Sequence, residues 1–305
     1  MASKKTVSDP RKSLAAAGSL RSVAAAGADP VVDKLRTRID TVDRRLLALL
    51  SERGKLVEQV GKRKRKLGLR FHQPGRERAV LDRMVAANEG PYPDEAVEGV
   101  FREVMSASLA LESPLTIAAG DADSIAAARR RFGSAARLSK EAGPAEALDA
   151  VSRGFAAYAV VSVEDGKGGF RGPALDALAD SGLAVTGEIV VTAAGVATRS
   201  LVVGGDEPGP SGDDLTSTVV VPRDEPGAIA GVLSVFGRHG VNLRRLSAGP
   251  ARASVRSKRA GWSYQFFVDL EGHRDDASLS NALAALAKGG ALVRVLGSYP
   301  RGRSR

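Results

Sequence analysis

The sequence predicts a multidomain chain: an all-α unit of three helices, then a small α/β domain, then an α+β domain of ferredoxin-like order. Three observations predict it. Apolar residues recur in a 4-3-4-3 rhythm through residues 31–66. After Pro114 the texture changes to short apolar runs alternating with Ala-rich stretches. Beyond a Gly/Pro/Asp-rich segment, the remaining elements follow the order strand, helix, strand, strand, helix, strand.

Each part has its own local signals. Residues 1–29 are small, polar and basic without sustained periodicity, and predict a disordered arm. Asp29-Pro30 is a helix start, and Leu35, Ile39, Val42, Leu46, Leu49, Leu56 and Val60 then form one stripe. A helix over 31–66 is roughly 50 Å long at 1.5 Å per residue, more than a small domain covers, so packing against a second chain in an antiparallel dimer is expected. Helices over 75–88 and 94–112 complete a helical domain of residues 30–113, with Val80, Leu81, Met84, Val85 and then Val97, Val100, Phe101, Val104, Met105, Ser108 and Leu111 at helical spacing. In the α/β domain, 114–204, strands are expected at 115–119, 158–163, 187–192 and 199–204, and helices at 124–132 and 144–153. Residues 205–216 form a linker by composition. The α+β domain, 217–300, places strands at 217–222, 241–247, 262–271 and 291–297 and helices at 226–239 and 276–287, before a basic tail at 301–305.

Composition narrows the chemistry. The 305 residues include no cysteine and three dispersed histidines, which excludes thiolate nucleophiles and disulfides and disfavours a metal site; no run of 18 apolar residues spans a membrane. A cytoplasmic protein is expected. The net charge of +10 suggests a polyanion partner, but residues 34–78 alone carry fifteen basic against five acidic residues. Aromatics are only 4%, so the stacking surface of a single-strand nucleic-acid binder is missing and no nucleic-acid partner is expected.

Arg53 interrupts the apolar stripe, and Lys64 continues it three turns on. An arginine there is costly unless it meets an anion; a structural ion pair or a snorkelling side chain is the alternative. Arg36 flanks the stripe, Arg76-Glu77 opens the second helix, and Ser108 and Glu112 share a face of the third. Brought together, these residues suit a small, multiply anionic ligand.

The residues just named carry a resemblance. LRTRIDTVDRRLLALLSERGKLVEQVGKRK, GRERAVLDR and FREVMSASLALE resemble, in order, the three helices of the all-helical class of chorismate mutase. The resemblance implies an intertwined helical dimer in which Arg36 reaches the neighbouring subunit's site, Arg53 and Lys64 come from the main subunit, and chorismate rearranges to prephenate without cofactor or metal. Pericyclic rearrangement asks for a held reactive conformer and stabilised charge on the breaking C–O bond. The resemblance gives Arg36 and Arg53 to the two carboxylates, Lys64 to a carboxylate and the ether oxygen, Glu77 to the ring hydroxyl and Ser108 to orienting a carboxylate, with Arg76 in support. Two positions depart from the usual pattern: Glu112 stands for a glutamine and donates only when protonated, and Gln73 stands for an aspartate near the hydroxyl.

DEPGAIAGVLSVFGRHGVNLRRLSAGP and LEGHRDDASLSNALAALAKGGALVRVLGSYP resemble the ACT domain of prephenate dehydratases. This implies an amino-acid effector, phenylalanine, at Glu225, Pro226, Gly227, Ala228 and Ile229 with Asn242; of the usual Glu-Ser-Arg-Pro motif only Pro250 is kept. ALDAVSRGFAAYAVVSVEDGKGGFRGPALDAL and GVATRSLVVGG resemble one lobe of prephenate dehydratase, implying that Glu164, Thr198 and Arg199 are the remnant of its site. GEIVV leads almost directly into GVATRS, so the second lobe is expected to be missing. The function expected is chorismate mutase in aromatic amino-acid biosynthesis; the alternatives are a bifunctional enzyme that also makes phenylpyruvate, and a non-enzymatic amino-acid sensor.

Overall fold

The computed structural model describes residues 29–69, 74–167, 169–193, 195–223, 225–250 and 264–302. Most of the arm read over 1–29, together with Gln73 and the tail beyond 302, falls outside them. The chain divides into two compact units, Met1–Lys55 and Leu56–Arg305.

Helix α1, Pro30–Leu67, begins in the first unit and ends in the second. Asp29 caps it, accepting from the Val31 amide at 2.8 Å. The apolar stripe is open in the single chain: Leu35, Ile39, Val42, Leu46 and Leu49 are 49–62% exposed. An uncovered apolar row of this length is what an interaction surface looks like.

The second unit continues with α2, Pro74–Ala86, packed on α3, Asp94–Glu112. These match the expected helices within two residues. Val100 and Leu111, on the expected apolar face of α3, are 61% and 54% exposed.

The α/β part holds β1 (Thr116–Ala119), α4 (Ala122–Phe132), β2 (Arg137–Lys140), α5 (Pro144–Ser152), β3 (Tyr158–Glu164), α6 (Gly172–Ser181), β4 (Val185–Ala193) and β5 (Val196–Val203). Its sheet runs β2-β1-β3-β5-β4; β1 pairs parallel with β2 and β3, while β5 is antiparallel to both neighbours. Helix α4 covers one face through Ala127, Ala128 and Phe132; α5 and α6 cover the other. The sequence reading omits β2 and α6. In β2 only Leu138 is apolar, so no alternation marks it. Helix α6 carries a legible signal, Pro173 in its first turn and a left-handed Gly182 at its end. The antiparallel pair β4–β5 has Ala193 opposite Val196, at the point where the sequence reading expects a second lobe to be missing.

The last part has β6 (Asp214–Val221), α7 (Ala228–Arg238), β7 (Leu243–Pro250), β8 (Tyr264–Glu271), α8 (Ala277–Lys288) and β9 (Leu292–Pro300), with sheet order β7-β8-β6-β9, all antiparallel. Every residue of β6 is buried, because both faces are covered. Val220 faces α7 and α8 with Phe236 and Leu279, while Leu215, Val219 and Val221 join Leu175, Leu178, Val185 and Leu201 of the α/β part. The Gly/Pro/Asp-rich connector therefore joins two sheets that share one core. Gly297 permits the approach: a Cβ there would lie 2.0 Å from the Val185 carbonyl oxygen.

Candidate active site

In the second unit, the last turns of α1 and α3 bring Lys64 onto Glu112. The ammonium donates to Oε2 at 2.7 Å, and the side chains are only 14% and 11% exposed. Arg65 donates to the Glu112 carbonyl at 2.8 Å. Gly61, the only buried residue of α1, makes room, since a Cβ there would sit 3.3 Å from Glu112 Cα and Cγ. The arrangement holds an ammonium, which has three donors, against a carboxyl that can accept or, once protonated, donate.

The other expected residues are distributed as follows. Arg36 and Arg53 belong to the first unit; Arg36 is exposed and paired with Asp33 at 3.3 Å, and Arg53 is half-buried. Glu77 lies in the first turn of α2 and accepts from Arg131 of α4 at 3.1 Å, while Arg76 is exposed. Ser108 donates to the Val104 carbonyl at 2.6 Å. Lys62, Arg63 and Lys66 are exposed around the end of α1.

Around the dehydratase-like residues the picture differs. Glu164 and Arg199 meet at 3.4 Å, whereas Thr198, next to Arg199 on β5, points to the opposite face by strand alternation. Arg199 also pairs with Glu188 at 2.5 Å and Asp269 at 2.8 Å, and donates to the Tyr299 hydroxyl at 3.1 Å. Arg245 of β7 reaches Glu164 at 2.9 Å and Glu188 at 3.5 Å. Burial works against the Arg199 charge, but Tyr299, Asp269 and Glu188 outweigh it and raise its pKa above the ordinary arginine value. Burial, then Asp269, pushes the Tyr299 phenol up. The void beside this cluster is about 20 Å³, room for a water molecule. Two guanidinium groups are thus matched by three carboxylates, and Arg199 joins the two sheets.

In the α+β part, Gly227 takes φ +79° at the start of α7, and the Ala228 amide closes the turn on the Glu225 carbonyl at 3.2 Å. Pro226 and Ile229 belong to the same turn and first helical residues. Asn242 donates to Glu271 at 2.9 Å; this bond, and Arg301 with it, keeps the Glu271 carboxyl below its usual range. Among the described residues no group of three or more His, Cys, Asp or Glu side chains could hold a metal ion, and no helix is long and apolar enough to cross a membrane.

The residues that the sequence reading misses are Arg131, Glu188, Arg245, Asp269 and Tyr299. Each acts through a partner 11 to 100 positions away, and no local spacing marks them.

Residues 35–113 match the family described as chorismate mutase type II, and residues 217–288 match the ACT domain. The bifunctional chorismate mutase/prephenate dehydratase of Neisseria gonorrhoeae is 30% identical over 354 aligned positions, which take in 87% of this chain and 96% of that protein. That alignment is longer than this whole chain, so the relative carries sequence with no counterpart here. The prephenate dehydratase of Mycobacterium tuberculosis is 38% identical over 123 residues, 40% of this chain and 36% of that protein. A solved prephenate dehydratase from Streptococcus mutans matches 62% of this chain and 100% of that one, with a TM-score of 0.52 and 24% identity, a likeness of fold.

Proposed function

The chain belongs to the family of bifunctional chorismate mutase/prephenate dehydratases, and on that premise we propose that its helical domain converts chorismate to prephenate in aromatic amino-acid biosynthesis. The observation that carries this is Lys64 held against Glu112 at 2.7 Å, within the segment that matches chorismate mutase type II. Lys64 supplies a donor to the ether oxygen and a carboxylate, where charge develops as the C–O bond breaks. Glu112 in its protonated form adds a second donor. Arg53 of the same chain takes one carboxylate and Arg36 of the partner subunit the other, Ser108 orients one of them, Glu77 takes the ring hydroxyl, a role Gln73 shares, and Arg76 supports the site. Holding the substrate in its reactive chair supplies the rest, and no nucleophile is needed.

A homodimer follows from the same proposal. Its support is the open stripe from Leu35 to Leu49, which a second copy of α1 would cover. The protein works in the cytoplasm. Phenylalanine at the turn Glu225–Ile229 is the effector; calorimetry with phenylalanine tests it, and no heat removes it.

A chain that also dehydrates prephenate needs a substrate-sized, water-excluding cleft. Arg199 is instead matched by carboxylates beside a void of about 20 Å³, and β4 returns directly into β5, which favours release of prephenate. Incubating the full chain with chorismate separates the two. Prephenate should accumulate and give phenylpyruvate only on acid treatment; phenylpyruvate without acid would establish the dehydratase, and no turnover would leave an amino-acid-sensing scaffold.

A further inference from the structure

We propose that Arg131, which lies in the α/β part and outside the segment matching chorismate mutase, is a positioning residue for the mutase site. It acts through Glu77, and the proposal rests on the assignment of Glu77 to the ring hydroxyl of the substrate.

Glu77 sits in the first turn of α2 on a side chain with three rotatable bonds. A carboxylate that recognises a hydroxyl must be held to within about 0.5 Å of its working position, which requires a neighbour that fixes its rotamer. Arg131 fixes it by donating from Nη1 to Oε2 at 3.1 Å. The Arg131 guanidinium lies 5.5 Å from the centre of the Phe132 ring, and Phe132 is buried against Tyr158 at 5.4 Å between ring centres.

The end of α4 is also clamped to α3. Glu103 accepts from the Ser134 amide at 2.9 Å and from its hydroxyl at 2.6 Å. Gly133, at φ +74°, leaves no room for a side chain beside Ser106: a Cβ would lie 2.5 Å from the Ser106 Cβ. The α/β part thus reaches the helical part through a corner clamped at Gly133 and Ser134, and that corner presents the Arg131 cation to Glu77.

The test uses the full chain. Glu77 contributes to substrate binding before and during the rearrangement, so Arg131→Gln should raise KM about five- to tenfold and leave kcat within about twofold. Arg131→Lys should recover at least a third of the lost kcat/KM. In a Glu77→Gln background, Arg131→Gln should add less than about twofold, because the two act as one unit. Ser134→Ala removes one hydroxyl bond to Glu103 but keeps the Ser134 amide bond, the Gly133–Ser106 contact and the Arg131–Glu77 pair, and should leave kcat/KM within about twofold. Unchanged KM in Arg131→Gln, an undiminished effect in the Glu77→Gln background, or an equal loss in Ser134→Ala would each overturn the proposal. Should Arg131→Gln not fold, a wild-type KM in Arg131→Ala together with a wild-type melting curve would overturn it in its place. No turnover by the wild-type chain would bring down the mutase assignment itself, whereas an active wild type with an indifferent Arg131→Gln brings down only the role of Arg131.

Discussion

Lys64 and Glu112 form a 2.7 Å ion pair that ties the end of α1 to the end of α3, with both side chains nearly out of solvent. The pair sets two demands on one carboxyl. As a carboxylate it holds Lys64; as a carboxylic acid it gives a substrate oxygen a hydrogen bond. Glu112→Gln, whose amide can donate a hydrogen bond to a substrate oxygen, should keep most of the mutase activity, whereas Glu112→Ala, which neither holds Lys64 nor donates, should lower kcat/KM by about a hundredfold. Steady-state kinetics of the two variants check this; a wild-type kcat/KM in Glu112→Ala removes Glu112 from the reaction.

Arg199 is the cation on which the two sheets converge, and Glu188, its closest partner, has a side chain only 1% exposed. Removing one member of a buried pair leaves the others uncompensated, which costs about 3–5 kcal/mol. Arg199→Ala should therefore lower the urea midpoint of the Leu56–Arg305 unit markedly. A loss under about 1 kcal/mol would mean that Arg245 alone neutralises Glu164, Glu188 and Asp269.

The residues also show why some features were legible in the sequence and others not. Helices α1 to α3 are written in local signals: Asp29-Pro30 at a start, a stripe at helical spacing, Pro114 beyond an end. Lys64 stands out because charge on an apolar stripe is conspicuous in one dimension, whereas Glu112 is marked only by sharing a face with Ser108 and by the resemblance. Strand β2, with Leu138 as its sole apolar residue, takes its place from pairing with β1, a long-range hydrogen-bonding fact. The shared core was hidden for a related reason. The segment 205–216 looks like a linker in the sequence, but its last three residues belong to β6, and only the two-faced burial of that strand reveals that Val219 and Val221 belong with Leu175 and Leu178. Arg199 was singled out from a resemblance, and its neighbours, not its identity, decide that it joins two sheets.

The open stripe on α1 predicts a second copy. Leu46 is 54% exposed and lies mid-stripe, so Leu46→Asp should place a charge in the dimer seam. Light scattering should show a dimer for the wild type and a monomer for the variant. Mutase turnover should fall with it, because each site would lose Arg36 of the partner subunit. A variant that stays dimeric would move the interface elsewhere.

Gly297 is where β9 meets β4. With 2.0 Å between a would-be Cβ and the Val185 carbonyl oxygen, and backbone rather than a flexible side chain in the way, Gly297→Ala must separate the sheets. Overpacking of this kind costs about 1–3 kcal/mol. Thermal denaturation should show the loss, while a wild-type melting temperature would indicate that β9 can shift without disturbing the core around Leu296 and Tyr299.

The clamp between α3 and the end of α4 should be sensitive to acid. The Ser134 hydroxyl, and then its amide, hold the Glu103 carboxyl below its usual range. A folded-state pKa below the unfolded one contributes stability above the unfolded value, near 4.3 for a glutamate, and that contribution is lost as pH falls through the folded value. Because Glu103 is exposed, the effect on global stability is small, but the docking of α4 on α3 should loosen on acidification before the core does. Ser134→Ala removes the stronger of the two bonds and should move the Glu103 titration up towards 4.3. A carboxyl-detected NMR titration of both proteins reads this directly. Coincident curves would show that the backbone amide alone depresses Glu103, and the hydroxyl would then have no part in the clamp.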